Sequence, residues 1–315
     1  MVYFLYYKYF IKIMKVIEII FLIIFTIILL YMVCGYRRFI STNEGYKIIQ
    51  VDDLNTDDIY NYMYMKYPIV VLNTINSDNF VRDFTIDKIC EIFGENDGYY
   101  SIQDNNKIFH KKAPKFDKIQ KIKDLVDSDT RWKCLLNHTF IKRNQLYNPI
   151  HEIISRCSPK LSLNNRYSIT ISSSGFIEPL QYSQSYKTMI TSIKGNKTVR
   201  LFNPLYKNSL YMDSKFHPNY RMSKINVWDD WDKLCKRYKK IKKTQFIDIK
   251  LREGNTLLIP NFWLFSTRND DTNITLYSKV DTVLTHILQF PYFVEKTLHY
   301  MGLYKVNKCY CHKSC

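Results

Sequence analysis

The chain has 315 residues, long enough for one large core domain with appendages, since all-β folds of about 200–250 residues routinely form a single domain. Its formal net charge is +17, which suits a solvated basic face first and an anionic membrane surface or acidic partner second. No nucleic acid is expected, because the densest basic runs, residues 233–243 and 111–123, lack the interleaved aromatics on which bases stack. Alanine occurs once, at Ala113, beside heavy use of Lys, Asn, Ile, Tyr and Phe. That bias points to an AT-rich coding sequence and says nothing about the fold.

At the N-terminus, a basic segment (residues 1–15) precedes eighteen uncharged residues between Glu18 and Arg37. As a helix rising about 1.5 Å per residue they would cover close to the hydrocarbon thickness of a bilayer. A transmembrane anchor over residues 16–36 is therefore expected. Lys8, Lys12 and Lys15 flank it on one side and Arg37 and Arg38 on the other, with Tyr31 and Tyr36 as interfacial anchors, so the orientation stays open. A cleaved secretory signal is the competing reading, weakly served by Val33-Cys34-Gly35 as a cleavage site. Three sequons, at Asn137, Asn196 and Asn273, would permit glycosylation in a lumen.

After the anchor, residues 46–75 read as a short strand, a helix starting near Asp52 or Asp53, and a β-branched strand entered through Tyr67-Pro68. Residues 79–94 predict a second helix with Ile86, Ile89 and Ile92 at helical spacing and Gly94 as its stop. Residues 97–150 are polar and carry little periodic signal beyond Trp132 and Leu135-Leu136 as core contacts. From Tyr167 onward short β-prone runs are punctuated by Gly175, Gly195 and Pro204, the pattern of a barrel or jelly roll. A charged insertion at 208–243, expected to be helical, interrupts them, and strands resume at 246–251, 257–259 and 274–277.

The C-terminal segment, 283–315, is apolar and aromatic and ends in a Cys-rich tail. It reads as helices packing on the barrel, as a homodimer contact, or as an interfacial amphipathic element. Cys34 lies at the end of the apolar segment and an odd number of cysteines remains, so internal disulfides cannot pair them all. The tail residues Cys309, Cys311, His312 and Cys315 have no second Cys-x-x-Cys knuckle to complete a zinc site, leaving a frayed tail, a disulfide or a lipid site as readings beside metal.

Two segments carry a specific pattern. Gly175-x3-Pro179, Ile193-Lys194-Gly195-Asn196-Lys197 and Leu201-Phe202-x-Pro204 occur in order, followed by Glu253-Gly254-x-x-Leu257-x-Ile259-Pro260-x-x-Trp263. Over residues 46–278 this resembles the cupin-like, JmjC-related 2-oxoglutarate oxygenases. The resemblance implies a mainly β fold with flanking helices, a double-stranded β-helix (cupin jelly roll) over residues 45–282, preceded here by the N-terminal transmembrane helix. It also implies three Fe(II) ligands, a His-x-Asp pair and a distal His, which leave positions on the metal for cosubstrate and oxygen.

Counting from Gly175 places the first pair on Gln181 and Ser183, and counting back from Gly195 places it on Tyr182 and Gln184. The distal His falls on Phe265, and none of the seven histidines begins a His-x-Asp or His-x-Glu triplet. Lys197 matches the family lysine that receives the distal carboxylate of 2-oxoglutarate, though an ordinary strand lysine is the plainer reading. The expectation is a catalytically dead, membrane-anchored barrel that binds a protein partner and needs no cofactor. Fe(II) and 2-oxoglutarate enter only under the alternative, an active hydroxylase or demethylase with a displaced metal site. A third reading, a structural membrane protein with a cosmetic likeness, would separate Gln181 from Phe265.

Overall fold

The computed structural model describes residues 2–41, 45–52, 66–75, 80–103, 115–158, 162–213, 221–223, 225–290, 293–294, 297–298, 301 and 303. Two compact units divide the chain, Met1–Ser41 and Thr42–Cys315. The expected helix after Asp52, the histidines His110, His217, His299 and His312, and the cysteines of the tail lie outside the described residues.

The first unit is one helix, α1 (Val2–Ile40), which runs unbroken through the basic start and the apolar run. Within it Ile13–Arg37 is long and apolar enough to cross a membrane. Its side chains are uncovered by protein, Phe21 being 72% exposed. The Thr26 hydroxyl donates to the Leu22 carbonyl (2.7 Å), so the one hydroxyl among the aliphatic side chains of the span's centre is satisfied inside the helix.

The second unit is built from strands β1 (Ile49–Val51), β2 (Ile69–Val71), β3 (Asp97–Gln103), β4 (Lys115–Lys118), β5 (Arg131–Leu136), β6 (Ser162–Ser172), β7 (Gln181–Tyr182), β8 (Lys187–Lys194), β9 (Lys197–Phe202), β10 (Met212–Asp213), β11 (Arg221–Ser223), β12 (Phe246–Leu251), β13 (Thr256–Pro260), β14 (Leu264–Asn269) and β15 (Asn273–Thr282). They form a nine-stranded sheet, β1-β2-β13-β8-β15-β6-β5-β3-β4, and a six-stranded sheet, β10-β11-β7-β14-β9-β12. Its centre is the double-stranded β-helix. The four strands β13-β8-β15-β6 face the four strands β7-β14-β9-β12, and the chain crosses between them at the β6–β7, β7–β8, β8–β9, β12–β13, β13–β14 and β14–β15 links. The other seven strands extend the two sheets at their edges.

Strand parity sorts the side chains into layers. Val199, Leu201, Ile249, Leu251 and Phe265 of the smaller sheet meet Ile190, Leu257 and Ile259 of the larger one, forming the apolar half of the barrel interior. The larger sheet's other face is covered by the helices α2 (Ile86–Phe93), α3 (Ile122–Val126), α4 (His138–Arg143) and α5 (Tyr147–Ser155), whose Ile89, Ile122, Ile141, Ile150 and Ile154 join Ile169, Ile171 and Met189. Covered on both sides, β8 is buried along almost its whole length.

Several expectations change. The insertion is only partly helical: β10 and β11 extend the smaller sheet beside β7 before α6 (Trp231–Arg237) forms. Its Leu210, Ile225, Val227, Leu234 and Ile241 cover Leu180, Tyr182, Phe202 and Leu264, so the 208–243 segment is the outer wall of that sheet rather than an excrescence. Arg200 ties it down. Its guanidinium binds Asp248 through two bonds of 2.7 Å, donates to the Val227 carbonyl (2.6 Å) and stacks 4.4 Å from Trp228.

Between residues 80 and 94 the structure has a 3-10 turn, Phe80–Asp83, and then α2 capped by Thr85. Ile89, Cys90 and Phe93 form its buried stripe, whereas Ile92 is half exposed, because the helix is short and its spacing presents only one narrow face. The polar stretch after residue 97 contains β3, β4, β5, α4 and α5, with Trp132 and Leu136 in the core as expected and Leu135 only half-buried on the opposite face. At the C-terminus α7 (Val283–Leu288) starts on a Thr282–Thr285 capping box and buries Leu288. Val283, Ile287, Phe290, Phe293, Met301 and Leu303 are exposed.

Candidate functional site

The two diagnostic segments meet where β14 pairs with β7. In their antiparallel register Gln181 is the direct partner of Phe265, and Tyr182 that of Leu264. Directly opposed residues share a face of the sheet. Phe265 belongs to the interior cluster, and Tyr182 with Leu264 to the outer one. Gln181 therefore faces the barrel interior and Tyr182 the insertion. The reading in which Gln181 and Phe265 lie apart is removed by the same register.

Chemically, those positions hold an amide beside a phenyl ring that is 3% exposed. Ser183 follows, buried, its carbonyl accepting from the Phe262 N–H (2.9 Å) and its hydroxyl from the Ser185 N–H (3.2 Å). Gln184 is buried with a side-chain nitrogen lacking a hydrogen-bond partner among the described residues. A neutral amide, a hydroxyl already engaged and a phenyl ring are a poor donor set for a ferrous ion, which in this kind of barrel takes imidazoles and a carboxylate. Among the described residues no group of three His, Cys, Asp or Glu side chains converges as metal ligands would. The residues at these positions do not fit an iron centre.

Deeper in the barrel lies a charged cluster that the residue patterns did not announce. Lys197, first residue of β9 and 1% exposed, donates to the Tyr277 hydroxyl (3.5 Å) and sits 5.4 Å from the centre of its ring. The Tyr277 hydroxyl donates to Glu178 Oε2 (2.8 Å), and Lys133 makes an ion pair with Glu178 Oε1. The strands that supply these groups are β5 for Lys133, β9 for Lys197 and β15 for Tyr277, while Glu178 precedes β7.

The Glu178 backbone is fixed independently of its carboxylate. Its N–H donates to the Thr267 carbonyl (2.8 Å), and its carbonyl accepts from the Ser266 hydroxyl (2.6 Å), which itself accepts from the Trp228 indole (2.7 Å). One residue earlier, Gln103 clamps both the N–H and the carbonyl of Ile177 (3.0 and 3.1 Å). Pro179 favours extended backbone at Glu178.

Burial opposes ionisation of Glu178, but the Lys133 and Lys197 cations and the hydrogen bonds from Lys133 and Tyr277 outweigh it, holding the carboxyl down at about 2. Burial lowers Lys197 to about 8, against the pull of Glu178. Burial and the neighbouring Glu178 carboxylate push the Tyr277 phenol well above its usual value. At neutral pH the cluster is thus an anion held between two cations with a protonated phenol as donor.

Residues 90–278 match the family model of the cupin-like domain. The chain belongs to the cupin-like domain family. A search of curated proteins finds no match.

Within that cupin-like frame, Lys197 lines the interior as the resemblance implies, and its burial distinguishes it from an ordinary exposed strand lysine. Glu178, Lys133 and Tyr277 escaped sequence reasoning. Glu178 stands inside the Gly175-x3-Pro179 motif, immediately before the proline, which was the available signal. Lys133 and Tyr277 had none, since their approach to Glu178 depends on which strands pair.

Proposed function

We propose that this protein is a membrane-anchored cupin-like module that recognises a protein partner and performs no oxidation. The observation that carries the reading is the register of β7 on β14, which sets an amide, Gln181, against a phenyl ring, Phe265, where the family scaffold would present ligands. A ring packed among Val199, Leu201, Ile190 and Leu257 favours a dry, filled interior over a ligand cavity. Partner contacts then fall on the outside of the unit, and α1 serves as a single-pass anchor that concentrates it at a membrane.

The test uses the full chain in detergent or nanodiscs. Anaerobic titration with Fe(II) or Mn(II) is expected to show no stoichiometric site, and 2-oxoglutarate decarboxylation to stay at the iron-only blank. Decarboxylation above that blank, abolished by Lys197→Met, would establish the displaced-metal enzyme instead.

A further inference from the structure

We infer that Glu178 is a built-in occupant of the barrel's anion subsite: its carboxylate takes the place of a small carboxylate ligand between Lys133, Lys197 and Tyr277, and thereby closes the interior to dicarboxylates. The inference rests on the non-catalytic reading and deepens it, because it says how the charges of buried Lys197 and half-buried Lys133 are balanced from within the chain.

Isolated buried ammonium groups are costly, and each needs a counter-charge or hydrogen-bond acceptors. Lys197 is 1% exposed, and the Lys133 side chain is 21% exposed. Glu178 supplies their shared negative charge, with the Tyr277 hydroxyl bridging Lys197 to Oε2. Its backbone is held by Thr267, Ser266 and, through Ile177, Gln103, so the side chain starts from a fixed point, and its carboxylate is held by Lys133 and Tyr277. An entering dicarboxylate would seek the cation at Lys197 and meet a second carboxylate beside it. Two like charges in a buried site repel strongly enough that one must be neutralised or leave. Lys279 also feels the Glu178 charge and is itself faced by Arg166 and Asp281, and among the described residues Glu178 is the carboxylate bonded to Lys133 and Tyr277.

The experiment deletes the occupant and offers it back. Thermal unfolding of the full chain in detergent is followed against added formate or acetate, with chloride and acetamide as controls. Glu178→Gly is expected to melt lower than wild type and to regain Tm as formate or acetate is raised, while chloride and acetamide leave it unmoved. Adding Lys197→Met to that variant should abolish the regain. Wild type should respond to formate, acetate and 2-oxoglutarate no more than to chloride. A carboxylate-specific rise in wild type equal to that of the variant, or none in the variant, overturns the inference.

Should Glu178→Gly fail to fold, the isosteric Glu178→Gln and Lys197→Met supply a double-mutant cycle. Coupled losses, the double variant losing less than the two singles together, are expected, and strictly additive losses overturn the inference. Either negative result leaves the absence of iron-dependent turnover standing as a separate question, and turnover in wild type would strike the non-catalytic reading without altering the measured coupling.

Discussion

Lys187 poses the sharpest question at the scale of a single residue. It is 1% exposed, on the helix-covered side of β8, and its ammonium has no hydrogen-bond partner among the described residues. Burial lowers it to about 7, opposed only by Cys157. The folded protein therefore gives up this proton far below the ordinary lysine value of 10.5. Between pH 7 and 10.5 the unfolded chain binds more protons than the folded one, so stability contributed here rises with pH across that window and is lost as pH falls through 7. Lys187→Met keeps the stem and removes the charge. It is expected to raise stability at pH 7 by about 1–3 kcal/mol and to flatten the rise between pH 7 and 9, measured by urea unfolding at both values. An unchanged pH slope would show that Lys187 keeps its ordinary proton affinity in the folded protein. Glu178 gives the same sign of slope in an acid window, since its contribution is present above the ordinary carboxyl range and is lost as pH falls toward 2.

Among the elements, the two turn glycines separate conformational strain from crowding. Gly195 links β8 to β9 at φ +72°, and a Cβ there would lie 2.5 Å from the Thr272 carbonyl oxygen. Gly254 leads into β13 at φ +80° with nothing within 4 Å of its notional Cβ. Left-handed backbone costs a non-glycine residue about 1–2 kcal/mol. Gly254→Ala is expected to lose about that much, and Gly195→Ala clearly more, because backbone of the neighbouring loop must also move. Comparing the two midpoints in denaturant checks this, and equal losses would contradict the crowding at Thr272. The sequence signalled both turns through their glycines. By contrast, Gly94 ends α2 in right-handed backbone, where a Cβ would strike the Cys90 carbonyl at 2.3 Å, so close packing and not handedness requires glycine there.

For the whole molecule, the proposal of an anchored module turns on α1. Alkaline carbonate extraction is expected to leave the full chain in the membrane pellet, and its intact mass to retain residues 1–41. Release into the supernatant, or a mature chain starting after Val33-Cys34-Gly35, would identify a signal sequence instead. The sequons add a constraint. Asn273 is fully buried, its amide donating to Ser192 (2.9 Å) and the Lys194 carbonyl (2.7 Å), and Asn137 caps α4 by accepting from the Phe140 N–H (2.9 Å). A glycan on Asn273 is incompatible with the folded barrel, so the triplet pattern alone overstated the glycosylation capacity.

Local chemistry made much of this legible in advance. Unbroken apolarity marks α1, proline and glycine punctuation with β-branched runs marks the barrel strands, and Gln181, Ser183 and Phe265 are side-chain identities that no folding changes. What only the tertiary structure decided are relations between distant residues. The register of β7 on β14 put Gln181, not Tyr182, inside the barrel. The pairing of β5 with β6 and of β15 with β8 drew Lys133 and Tyr277 to Glu178. Such relations join side chains 45 or 99 residues apart in the chain, and a sequence records the partners' chemistry without recording which of them will meet.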